Sequence, residues 1–262
     1  MKKRIFLAIA MLALTACDNK PAPAADPRPR ALVSNPPTAW LVKQVLGDKV
    51  IVQTLAGTGG CGHEFQPTDK EIVEAGKAQV WFTVGLEFEK AEWAQVIKKK
   101  PVCEGLHGWM SLPLLGQMAH KIAYYFADPM GDADLEISLQ PIEILFYQKH
   151  AALTALLLPL KSQAFLADHP AYTYFAADYN LHQISIEADG HEPSDADLNR
   201  VIAQAKAAKV KVLFLHSEEH RAEAEAVAKA VGAQVILADP NTENTPELLE
   251  MMANALVKAH SK

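Results

Sequence analysis

The sequence predicts an α/β protein of two lobes, each a parallel sheet flanked by helices, joined by a connecting helix. Three observations predict this class. Short apolar runs alternate with helical patterns from about residue 31 onward, the signature of parallel strands covered by helices. The middle stretch, Asp134 to Leu160, carries no strand pattern, which argues for two sheets and against one eight-stranded barrel. Half of the residues are hydrophobic, enough apolar surface for a sizeable core and too much for a disordered chain.

The N-terminus reads as an address. Lys2, Lys3 and Arg4 precede the apolar segment Ile5 to Leu14, which is too short to span a bilayer permanently. It closes in Leu14-Thr15-Ala16-Cys17, which resembles the bacterial lipobox, so residues 1–16 are expected to be a signal peptide and Cys17 the lipidated first residue. The lipid anchor implies a membrane-tethered protein. Asp18 in second place resembles the pattern of Gram-negative lipoproteins kept at the periplasmic side of the inner membrane. Residues 17–30, rich in Pro and Ala, form a tether.

The first lobe is expected over 31–133. Strands are predicted at Ala31 to Ser34 and Val50 to Leu55, with a helix between them opening at Pro37. Thr68 is a fitting N-cap, and Glu71 three residues on completes a capping box. Gln79 to Val84, Lys90 to Lys98 and Pro101 to Cys103 follow as strand, helix and strand. Residues 134–160 supply the connecting helix, with Pro141 at its start and an apolar body from Ile142 to Leu158, roughly 25 Å long at 1.5 Å per residue. The second lobe, 161–262, places strands at Gln163 to Ala167, His182 to Ile186, Val210 to Leu215 and Gln234 to Leu237. Its helices are Ala171 to Tyr179, Asp195 to Ala208, Glu218 to Val231 and Pro246 to Ala259.

Removal of Lys2, Lys3 and Arg4 leaves 22 basic residues against 31 acids, a net charge of −9. Such a surface gives no reason to expect nucleic-acid binding. The chemistry concentrates in the loop Gly57 to Thr68, where a strand ends in glycines and is followed by Cys61, His63 and Glu64. Imidazole, thiol and carboxylate this close together suit a transition metal. Cys61 and Cys103 are the cysteines besides Cys17. In an oxidising compartment they either form a disulfide or leave Cys61 free or facing a metal.

Taken in order, several segments resemble the metal-binding solute receptors of bacterial ABC importers, the class that delivers zinc or manganese. Asn35-Pro-Pro-Thr-Ala-Trp-Leu41 looks like that family's first strand–helix turn. Cys61-Gly-His-Glu-Phe-Gln-Pro-Thr68 is similar to its Asp-Pro-His-x-(aromatic)-x-Pro-Thr loop, and His169-Pro-Ala-Tyr-Thr-Tyr-Phe175 to its His-x-Ala-Phe-x-Tyr-Phe. Glu192-Pro-Ser194 and Ala238-Asp-Pro240 complete the likeness. The resemblance implies metal ligation by His63, His169 and Asp239, an ABC permease as partner, a monomeric receptor and no catalysis. The three residues also follow predicted strands, where open parallel sheets bind their ligands.

Two departures stand out. Where the family has Asp-Pro-His-x-Trp-Leu at the end of the first lobe, the comparable stretch is taken as Asp128-Pro129-Met130-Gly131-Asp132, with methionine in place of histidine. A thioether favours copper(I) over zinc or manganese. Either a ligand is lost, or Cys61, His120 or Asp132 replaces it, or the metal is changed. The central segment is also shorter than the family's, and no histidine-rich acidic loop is present. Zinc(II) is the expected ion, with Mn(II) and Cu(I) as alternatives. A corrinoid or metal-chelate receptor is a further alternative, and a metal-dependent hydrolase finds no supporting motif. Glu218, Glu219 and His220 fit either a secondary cation site or the polar start of a helix. His216 fits either a cleft-lining residue or a satisfied interior histidine.

Overall fold

The computed structural model describes residues 26–57, 65–103, 105–130, 139–187 and 193–261, with side chains in the third stretch to residue 127. Cys17, Cys61, His63, Glu64, Asp132, Glu192 and the side chain of Met130 therefore lie outside the described residues.

Strand β1 (Arg30–Val33) is central in a three-stranded sheet, pairing in parallel with β2 (Ile51–Thr54) on one side and β3 (Val80–Phe82) on the other. Helix α1 (Pro36–Leu46) opens at Asn35, whose side chain accepts from the Thr38 amide at 3.2 Å and the Thr38 hydroxyl at 2.6 Å. Helix α2 (Asp69–Ala75) begins with the expected capping box. The Thr68 amide donates to Glu71 at 2.7 Å, and the Glu71 amide donates back to Thr68 at 3.3 Å.

Downstream of β3 the structure departs from expectation. The predicted helix Lys90 to Lys98 is two 3-10 turns, Glu87–Lys90 and Glu92–Val96, and the predicted strand at Pro101 to Cys103 is a single bridge between Thr83 and Val102. Local packing explains the turns. The buried Glu89 carboxylate accepts from the amides of Val84, Gly85 and Leu86, folding the chain back on itself. Trp93 then stacks on Trp81 with ring centroids 5.4 Å apart, which holds the second turn against the sheet.

Helix α3 (Leu112–Met130) is an element absent from the predicted set. Its start was legible, because Ser111 accepts from the Leu114 amide at 3.2 Å and Pro113 occupies the first turn. So was its buried stripe of Leu112, Leu115, Met118, Ala119, Ile122, Ala123 and Phe126 at three- and four-residue spacing. Helix α4 (Gln140–Leu157) follows, burying Ile142, Phe146, Leu153 and Leu157 against α3 and against α8 (Thr245–His260) at the end of the chain.

The second sheet is fully parallel. Its strands are β4 (Ala164–Ala167), β5 (His182–Ser185), β6 (Val212–Leu215) and β7 (Gln234–Leu237), arranged β5-β4-β6-β7. Helices α5 (Thr173–Asp178), α6 (Asp195–Ala207) and α7 (Arg221–Val231) connect them. The residues Glu218–His220 form a 3-10 turn before α7 instead of its first helical turn. One apolar core runs from the first sheet through α3, α4 and α8 to Phe165 and Phe214 of the second and to Tyr172 at the start of α5. A smaller cluster lies between the second sheet and α6 and α7. No helix among the described residues is long and apolar enough to cross a membrane.

Candidate metal centre

The second sheet organises its strand ends around one carboxylate. Asp168 follows the central strand β4, and its Oδ1 accepts from the amides of His169 and His216, each at 2.9 Å. Its Oδ2 accepts from Nδ1 of His216 at 2.6 Å, and its carbonyl accepts from the Glu187 amide at 2.9 Å. A single buried residue thus ties together the ends of β4 and β6 through its carboxylate and of β5 through its carbonyl, and from these ends His169, Glu187 and His216 emerge.

His169 is 4 % exposed, and its Nδ1 lies 2.6 Å from a carboxylate oxygen of Glu187. An ionised carboxylate only accepts, so Nδ1 carries the proton and a neutral ring keeps its lone pair on Nε2. This carboxylate–imidazole pairing fixes the tautomer and raises the basicity of a metal-ligating histidine.

His107 packs against this ring. It is 5 % exposed and sits in a turn with φ of 62°, the left-handed region that histidine tolerates better than most side chains. Gly105 precedes it with φ of 77°. The backbone at Gly85 favours glycine because its φ of 92° is strained for any side chain, and a Cβ there would lie 3.4 Å from the Leu106 amide nitrogen. The turn delivers His107 to within 5.2 Å of His169, centroid to centroid, at an interplanar angle of 78°. A tetrahedral zinc with Zn–N distances of about 2.0–2.1 Å holds two imidazole centroids roughly 5 Å apart. The pair therefore has the spacing of two ligands to one ion.

Asp239 follows β7 and is half-buried, with Oδ1 accepting from the Asn241 amide at 2.8 Å. The neighbouring residues on both sides of it are gripped from the two histidine segments. Tyr172 donates its hydroxyl hydrogen to the Ala238 carbonyl at 2.5 Å, and Trp109 donates Nε1–H to the Pro240 carbonyl at 2.7 Å. Among the described residues, no three His, Cys, Asp or Glu side chains close around one position. His63, the remaining expected ligand, lies outside them.

His107 is the residue that the sequence reading passed over. The expected family segment contains His-x-Trp, and His107-Gly108-Trp109 carries that pattern just before a long helix. Asp128-Pro129-Met130 instead occupies the far end of that helix. His120 does not join the cluster: it is half-exposed on α3 and pairs with Glu143 of α4 at 2.6 Å. Cys103 is buried, and Trp81 and Trp109 are core residues. His216 is buried and packs against His169, with centroids 5.1 Å apart and planes tilted by 45°.

Parallel sheets with histidines gathered beyond their strand ends define the class of metal-binding solute receptors of ABC importers. Residues 32–259 match the family model for the periplasmic zinc-uptake complex component A, ZnuA, and the chain belongs to that family. It is similar to the zinc-binding lipoprotein AdcA of Streptococcus pneumoniae TIGR4, 24% identical over 289 aligned residues that cover 94% of this chain and 56% of AdcA. The chain thus spans about half the length of that relative. It is 22% identical to the metal ABC transporter substrate-binding lipoprotein SsaB of Streptococcus sanguinis, covering 83% of this chain and 82% of SsaB. Among solved structures, a crystal structure of ZnuA superposes with a TM-score of 0.79 at 27% identity, over 88% of this chain and 99% of that one. The manganese-bound form of a serine-to-alanine mutant of a periplasmic metal-binding protein from Candidatus Liberibacter asiaticus shares the fold, with a TM-score of 0.76 at 19% identity over 88% and 99% of the two chains.

Proposed function

We propose that this protein captures a transition metal ion, zinc first, at the strand ends between its two sheets and delivers it to an ABC permease. His107 and His169 supply imidazole nitrogens, Asp239 a carboxylate, and His63 the fourth donor. Cys17 carries the lipid that tethers the chain at the periplasmic face of the inner membrane, and residues 17–30 give it reach. Lobes over 31–133 and 161–262, with 134–160 connecting them, are the division we infer. The protein acts by binding and release, without catalysis.

The observation that carries this reading is the buried His107–His169 pair, 5.2 Å apart, with His169 held by the Glu187 carboxylate. Three imidazoles and one carboxylate match zinc, whose borderline softness suits nitrogen donors, better than manganese, which takes mostly oxygen. His107 supplies the imidazole that Met130 was thought to replace, so the copper(I) alternative loses its main support.

Metal analysis of the purified protein tests the reading. The wild type should hold about one zinc per chain after mild dialysis, and His169→Ala and His107→Ala should each lose it. Retention of the metal by both variants overturns the site.

A further inference from the structure

Beyond the His107–His169 pair, the histidines continue outward. His216 packs against His169 with centroids 5.1 Å apart and planes tilted by 45°, and His220 packs against His216 with centroids 4.9 Å apart and planes tilted by 31°. His216 is 8 % exposed, whereas His220 is exposed in the 3-10 turn that precedes α7. Nδ1 of His216 donates to Asp168, which leaves the lone pair on Nε2, and no hydrogen bond from the described residues engages that nitrogen. His220 makes no side-chain hydrogen bond to the described residues and meets His216 through its ring.

We propose that His216 and His220 form a second, exchangeable transition-metal site in which an incoming ion stages before it reaches His169. The chemistry is the same as in the main site: a neutral imidazole oriented by a buried carboxylate, at a centroid separation suited to a shared borderline cation. The difference is the number of donors. With no third His, Cys, Asp or Glu of the described residues placed to close it, water completes the coordination, and the ion binds weakly and leaves readily. Glu219 beside His220 adds negative charge at the entrance and favours the approach of a cation. The ring spacings of 4.9, 5.1 and 5.2 Å then lead from solvent to the His107–His169 pair in near-equal steps. The staging role rests on the function proposed above; the site itself does not.

The test uses the full chain and zinc alone. Equilibrium titration against chelators of two strengths should resolve a tight and a weak class of zinc in the wild type. His220→Ala, a surface change that spares the core, should lose the weak class and keep the tight affinity within about twofold. Stopped-flow tryptophan fluorescence at limiting zinc should show loading of the tight class slowed at least threefold in His220→Ala. A single class in the wild type, or a weak class that survives His220→Ala, overturns the second site. An unchanged loading rate overturns the staging role. Loss of the tight class from the wild type, with a weak class still dependent on His220, would count against the main site and leave the second standing.

Discussion

Replacing Glu187 should weaken zinc binding without removing a ligand. Glu187 sits 2.6 Å from Nδ1 of His169, and the two side chains are 25 % and 6 % exposed. The bond is short, charge-assisted and mostly shielded, so it should be worth about twice a neutral one. Removing the acceptor in Glu187→Ala leaves a buried N–H whose desolvation costs about 1–3 kcal/mol. Water entering from the quarter-exposed Glu187 side recovers part of that. A loss near the lower end, about 1.4–2 kcal/mol, corresponds to roughly 10- to 30-fold in dissociation constant, within the 10–100-fold range typical of such supporting groups. Glu187→Gln keeps a neutral acceptor and should lose about 3- to 5-fold, half the free-energy effect. Competition with a chromophoric zinc chelator at neutral pH measures both, with far-UV circular dichroism confirming the fold. If both variants bind zinc within twofold of wild type, the argument from His169 tautomer and orientation is refuted.

Three other outcomes are expected. Trp109→Phe strips the donor from the buried Pro240 carbonyl and shrinks a fully buried ring, so urea unfolding should show a loss of at least about 1–3 kcal/mol, and less than about 0.5 would contradict the assignment. Burial pushes the Asp178 carboxyl up, against an opposing hydrogen bond from Ser111 and the nearby His150 charge. The native state therefore holds this proton more tightly than the unfolded chain, and stability falls as pH rises from the ordinary value of 3.8 through the raised one. Asp178→Asn should flatten that fall in denaturation midpoints measured between about pH 4 and 7, and an unchanged slope would refute the cause. Zinc affinity should drop below about pH 6.5, where protons compete for the histidine ligands, and undiminished binding at pH 5 would contradict histidine ligation.

Much of the fold was legible because its signals are local. The Thr68–Glu71 box, the apolar runs of β4 and β6 and the alternation of strand and helix depend on residues close in sequence. Elements fixed by distant packing were not. The segment Glu87 to Val96 has a helical composition, but the Glu89 carboxylate and the Trp81–Trp93 stack impose two tight turns. Helix α3 was missed although Ser111-Leu112-Pro113 announces it, and with it the His107-Gly108-Trp109 pattern that lies just before its start. His107 illustrates the limit best: its partner His169 lies 62 positions away, and no spacing rule connects them. Glu187 and Asp168, which orient the histidines, carry no motif at all.

The continuous core that runs through α3, α4 and α8 makes the two sheets one thermodynamic unit. Neither sheet can part from the other without exposing Phe146, Leu153 or Leu249 to water. The protein should therefore melt in a single transition and keep nearly the same radius of gyration with and without its ion. Selectivity must then come from rearrangements of a few ångströms at the strand ends, because a hinge would have to break the core to open. A cation enters a scaffold that is already assembled, and the rigid interior sets the distances that its ligands can offer.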